Sequence, residues 1–157
     1  TRTGVIGVLG TEATIRQTYV DRLEAEFARG KTLIRHGANG LVALAEAKLR
    51  GDPVPAEAVV SEISGLLAHP HAEELDTVVL ACTHFPLLLP ELARAFGPTV
   101  RFIDGADGIA RRIVSLTDGQ AFMRSAPDRA VTTGSLEDWR RLAPALARYR
   151  LETLETF

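Results

Sequence analysis

Asp76-Thr77-Val78-Val79-Leu80-Ala81, running into Cys82-Thr83-His84-Phe85-Pro86, is the stretch on which the fold turns. Three β-branched residues in a row favour a strand. Apolar side chains at consecutive positions mark a strand buried on both faces, as in a parallel sheet covered by helices. Polar groups take over at Cys82, and Pro86 suits a first helical turn, where its missing N–H has no partner to lose. The unit expected is strand, polar turn and helix, with chemistry placed where the strand stops.

Upstream, Gly4-Val-Ile-Gly-Val-Leu9 has the same apolar character and stops at the turn residue Gly10. Thr11 is placed to cap a helix on which Ile15, Tyr19, Leu23 and Phe27 form one apolar stripe ending near Gly30. Residues 32–35 read as a strand. Leu41, Leu44 and Leu49 mark a helix stopped by Gly51 and Pro53, and residues 55–68 another. Beyond Pro86, a helix through Phe96 leads to a strand at 100–103 and a helix lined by Ile109, Ile113 and Leu116. A strand at 129–132 and a helix capped at Ser135, carrying Leu136, Trp139, Leu142 and Leu146, close the chain. Residues 125–128 read as a crossing between two packed units. This alternation predicts an α/β fold with a doubly wound parallel sheet, whose ligands bind outside the carboxyl ends of the strands. Two rims fall there, residues 10–14 and 82–84, facing one crevice.

Composition narrows the partners. The 157 residues suffice for a buried core, and 46% hydrophobic with 24% charged residues is the balance of a globular protein, not a disordered one. Eighteen basic against twenty acidic residues, with no basic block, imply no nucleic-acid partner. Apolar runs such as 78–81 and 85–89 fall short of spanning length, so no membrane segment is expected. A single cysteine excludes an internal disulfide, Thr1-Arg-Thr-Gly lacks the pattern of a secretory leader, and the cytoplasm is the expected compartment. The only methionine is Met123, which raises truncation, or removal of an initiator methionine, as readings of the start.

Cys82, Thr83 and His84 put a thiol, a hydroxyl and an imidazole side by side. The thiolate is the reactive form of cysteine, and an imidazole with helix-start amides favours it, so Cys82 can serve as a base. Thr83 offers a donor and an acceptor for a carboxylate or ammonium, and an amino acid fits this set. Against this stands the common fate of a lone Cys as a small buried hydrophobe and of a lone His as a structural residue. Thr11 and Thr14 admit two readings, recognition of a substrate carboxylate or a plain helix cap, and capping is the commoner role of threonine. His36, His69 and His71 read as surface residues without a metal-ligand pattern. Arg111 and Arg112 read as a solvated helix face. No glycine-rich phosphate loop is present, so a nucleotide cofactor is not implied.

At these residues the chain resembles the glutamate racemases of the aspartate/glutamate racemase family. The segment Thr77-Val-Val-Leu-Ala-Cys-Thr-His-Phe-Pro-Leu-Leu88 is similar to the one bearing their second cysteine. Residues 4–14 resemble their strand and threonine-rich turn, and Leu44-Ala-Glu-Ala-Lys-Leu-Arg-Gly51 the following helix. Phe102-Ile-Asp104, Ile109-Ala-Arg-Arg112 and residues 149–154 continue the likeness. The resemblance implies a two-domain enzyme that interconverts L- and D-glutamate for peptidoglycan synthesis without cofactor or metal. Two cysteines act on opposite faces of the α-carbon. It implies Cys82 as the thiol serving L-glutamate, His84 as its catalytic partner, and Thr83, His84, Thr11 and Thr14 as substrate contacts. Residues 1–105 would form the second racemase domain. Residues 106–157 would complete the other, whose remainder, with the first cysteine, is not in this sequence. An unpaired sheet edge and an inactive isolated chain are then expected, with a homodimer as a possible assembly. Gly10, Ala13 and Ala38-Asn-Gly40 depart from the family's usual residues. Aspartate racemase, and a noncatalytic binding or regulatory protein of the same fold, are the rival readings.

Overall fold

A computed structural model describes residues 1–123 and 125–157. Strands β1 (Val5–Gly10), β2 (Thr32–Gly37), β3 (Leu75–Leu80) and β4 (Arg101–Ile103) pair in parallel in the order β2-β1-β3-β4. The two most apolar runs, β1 and β3, take the centre, where both faces are covered. From β1 the chain steps one way to β2, then crosses back over β1 to β3. Because crossovers are right-handed, opposite steps lie on opposite faces. One face therefore takes α1 (Glu12–Ile15) and α2 (Thr18–Phe27); the other takes α3 (Gly40–Leu49), α4 (Ala56–Leu67) and α5 (Leu89–Phe96). This is the doubly wound α/β sheet expected, and its order reverses between β1 and β3.

The second face holds the core. Leu41, Ile63, Leu66, Leu88 and Leu92 are fully buried there with Leu9, Val78 and Phe85. Each such side chain contributes about 1.5–3 kcal/mol relative to an exposed one, so this layer fixes the register of the sheet. At the amino ends of the strands, Asp76 gathers the start of the chain. Its carboxylate accepts from Thr1 Oγ1 at 2.6 Å, Arg2 N at 2.6 Å, Thr3 N at 3.1 Å and Thr77 Oγ1 at 2.9 Å.

Several expectations are corrected. The helix foreseen between Thr11 and Gly30 is two: α1 closes at Arg16, and extended backbone at Gln17 restarts the chain as α2. After that break Val20, not the stripe, turns inward, leaving Tyr19 and Leu23 about half exposed (48% and 47%) and Phe27 more so. Arg35 on β2 holds α2 by pairing with Asp21 at 2.6 Å and with Glu24. Nor is His36 a surface residue: its Nε2 meets the Glu62 carbonyl at 2.7 Å, and its ring lies over Gly65, where a Cβ would come within 2.7 Å of it. After His84 the chain first makes a tight 3-10 turn, Phe85–Leu88, before α5 begins.

Helix α6 (Ala106–Leu116) follows β4 and buries none of its residues; Ile109 and Ile113 are 60% and 56% exposed. Arg111 and Arg112 are solvated, as foreseen. Strands β5 (Arg129–Thr132) and β6 (Thr153–Thr156) form a second, two-stranded parallel sheet. Between them the single expected helix is split into α7 (Leu136–Arg140) and α8 (Ala143–Ala147). Pro144 explains the break, since it lacks the N–H and its ring would strike the carbonyl of Arg140 four residues back. Arg141 reaches Asp52 after α3 at 2.5 Å. No described helix is long and apolar enough to cross a membrane.

Candidate active site

The ladder between β1 and β3 runs one residue past the strand, with Ala81 N donating to Leu9 O at 2.8 Å. There the chain is released into the 3-10 turn. Phe85 N donates to Cys82 O and Leu87 N to His84 O, both at 3.1 Å. Phe85 and Leu88 are sunk in the core at 0% exposure, which anchors the turn from below and leaves Cys82, Thr83 and His84 on its rim. Cys82 is half-buried, Thr83 exposed, and His84 35% exposed at its side chain. The thiol is therefore neither sealed in hydrocarbon nor turned from its neighbour.

Cys82 Sγ lies 3.9 Å from His84 Nδ1, at the outer reach of a sulfur hydrogen bond, and His84 Nε2 lies 3.1 Å from Glu46 Oε1. Glu46 Oε2 in turn pairs with Arg50 Nη2 at 2.7 Å. Thiol, imidazole, carboxylate and guanidinium form one chain across two elements. An ionised Glu46 accepts from Nε2–H, which puts the lone pair of the imidazole on Nδ1, facing sulfur. Glu46 then also steadies the imidazolium formed when Nδ1 takes a proton. The logic is that of a nucleophile, base and orienting acid.

Reading the residues did not single out Glu46. Its available signal was an acid and Arg50 four apart on an otherwise alanine- and leucine-rich helix, a pattern that also describes any surface ion pair. Asn39 was likewise missed. Its Oδ1 accepts from Glu12 N at 2.9 Å and ties the turn after β1 to the start of α3.

The threonine rim adjoins Cys82. A Cβ on Gly10 would stand 3.5 Å from both Ala81 and Thr14, so the carboxyl ends of β1 and β3 share one edge at the point where the strand order reverses. Thr11 is the N-cap of α1: its Oγ1 accepts from Thr14 N at 3.3 Å and shares a hydrogen bond with Thr14 Oγ1 at 2.9 Å. The local reading thus describes this pair of hydroxyls. A cavity of about 190 Å³ lies elsewhere, lined by Lys48, Leu87, Arg141 and Tyr149 among others, and does not include Cys82. Cys82 stands on an open edge. Among the described residues no cluster of three or more His, Cys, Asp or Glu is placed to hold a metal ion.

No protein-family model matches the chain. Over 99% of its length it is 55% identical to the glutamate racemase of Sphingopyxis alaskensis. The glutamate racemase of Salmonella typhimurium is 40% identical over the same share. The likeness is to glutamate racemases, from end to end of this chain. In three dimensions it superposes, with a TM-score of 0.89 and 35% identity over 98% of its length, on the Escherichia coli glutamate racemase solved with L-glutamate and the activator UDP-MurNAc-ala. The chain spans only 59% and 55% of those two relatives and 58% of the solved racemase. The α/β architecture is common to both.

Proposed function

We propose that this chain carries one of the two catalytic thiols of a glutamate racemase, the one that exchanges a proton with L-glutamate. The observation that carries the reading is the run Cys82, His84, Glu46, Arg50 at the carboxyl end of β3. Resemblance supports the choice of substrate, and the distances among Cys82, His84 and Glu46 support a proton path. His84 Nδ1 holds the thiol proton, and the Cys82 thiolate takes the α-hydrogen of L-glutamate as a proton. The C–H pair is left on the α-carbon and spread into its carboxylate. A thiol on the opposite face then donates a proton to that carbon, giving D-glutamate, and the reverse reaction exchanges the two roles. Cys82 is the only cysteine in the sequence, so the opposite thiol must come from outside these 157 residues.

Thr83 and His84, with Thr11 and Thr14 on the adjoining rim, are proposed to touch the substrate. Residues 1–105 are proposed as one racemase domain and 106–157 as the closing part of another. A cofactor-free reaction in the cytoplasm, feeding peptidoglycan synthesis, and a homodimer belong to the same proposal. The test is solvent-deuterium exchange with racemisation, followed by mass spectrometry and polarimetry, on the full-length protein and on these 157 residues alone. Full-length protein should racemise glutamate, and faster than aspartate; the chain alone should not. Full-rate racemisation by the chain alone, or none by the full-length protein, overturns the reading.

A further inference from the structure

We propose that Lys48 is a positioning residue for His84, holding the turn that carries the imidazole so that Nδ1 stays opposite sulfur; the inference rests on the catalytic reading above. Lys48 Nζ donates to the Leu87 carbonyl at 2.9 Å and to Glu91 Oε2 at 2.7 Å. Leu87 N donates to the carbonyl of His84 itself. One ammonium on α3 thereby fixes both the 3-10 turn and the first turn of α5. Glu46, two residues earlier on the same helix, takes the ring. Helix α3 grips His84 twice, once through its imidazole and once through its backbone.

Both grips are needed to hold a 3.9 Å approach. With Glu46 alone, the ring stays bonded at Nε2 while its far edge swings as the backbone drifts. Most surface ion pairs contribute little, but this one differs from them. The Glu91 side chain is only 12% exposed, and the ammonium has a second partner in a carbonyl of the turn. Burial alone would push the Glu91 carboxyl up, but the hydrogen bond and charge of Lys48, with a backbone amide and Arg94, outweigh it and hold it below its ordinary value. The Glu91 carboxyl therefore remains ionised at neutral pH.

The test replaces Lys48 in the full-length enzyme. Lys48→Met keeps the aliphatic stem and removes the ammonium. Its kcat should fall on the order of ten- to a hundredfold, with a much smaller change in KM, because a displaced proton acceptor slows chemistry more than binding. The deciding readout is the α-deuterium isotope effect, which should rise with L-glutamate and fall with D-glutamate as the Cys82 step becomes the slow one. Lys48→Arg should restore much of the rate. A purely structural lysine would lower the melting temperature and leave both isotope effects unchanged, which overturns the proposal. If Lys48→Met does not fold, Glu91→Gln keeps the bond to Leu87 and should move the isotope effects the same way, to a lesser degree; unchanged effects there also overturn it. Absence of racemisation in the wild-type full-length enzyme would instead sink the functional reading, and this inference with it.

Discussion

Exchanging Cys82 for alanine in the full-length protein removes the sulfur and little else, since the side chain is small and only partly buried against the core. Loss of one proton-transfer group should lower racemisation on the order of a thousandfold, read by polarimetry, with the melting temperature nearly unchanged. Glu46→Gln probes the imidazole more subtly. A glutamine amide can turn its N–H toward Nε2, which forces the ring's proton onto Nδ1 and presents a donor to the thiol. The rate should fall roughly a hundredfold or more through this wrong tautomer, while glutamate still binds. Thr11→Ala separates two roles. If the hydroxyl is chiefly a cap, stability drops by about 1 kcal/mol and KM stays put; a rise in KM at unchanged stability would favour contact with substrate. Cys82 and His84 were legible from sequence because a thiol and an imidazole side by side at a strand end are chemically conspicuous. Glu46 was not, because nothing in residue spacing announces that α3 will bring it 38 residues down the chain to His84.

At the scale of elements, the strands were the legible part. Their composition reports burial on both faces, and in β1 and β3 that burial is what holds them. Helix boundaries were less so. Periodicity cannot see the extended backbone at Gln17, and Pro144 divides a helix that its leucine spacing alone would join. Two elements make testable claims. Gly65 lies on α4 beneath the His36 ring, so Gly65→Ala should destabilise the protein, although alanine favours an ordinary helix interior. Thermal unfolding checks this, and a stabilised variant would show that the ring moves aside freely. At the other end of the sheet, the hydroxyl of Thr1, with the amides of Arg2 and Thr3 and the hydroxyl of Thr77, holds the Asp76 carboxyl well below the usual carboxylate range, against a smaller opposing effect of desolvation. A carboxyl depressed in the folded state adds stability above its unfolded value and loses it as pH falls. Asp76→Asn should therefore be less stable than wild type at neutral pH, and the gap should close below about pH 4 in an acid titration.

Across the whole molecule, packing is uneven. The sheet of β1 to β4 and its helices enclose the buried core, whereas α6 buries nothing and β5 with β6 stand as a separate pair. Hydrogen exchange should divide the chain accordingly, with slow amides in β1 and β3 and fast ones in α6 and β5 to β6. Equal protection throughout would contradict this. Sequence could show where residues 129–132 form a strand, but not that their neighbour would be 153–156, because parallel partners are set by the path of the chain and not by local pattern. The β5–β6 pair also has a consequence for handling the protein. Among the described residues each strand has a neighbour on one side only, so N–H and C=O groups along both outer flanks are free to recruit strands from other molecules. Expressed by itself, the chain should oligomerise with rising concentration and tend toward inclusion bodies, and co-expression with the remaining part of a racemase-length polypeptide should return it to the soluble fraction.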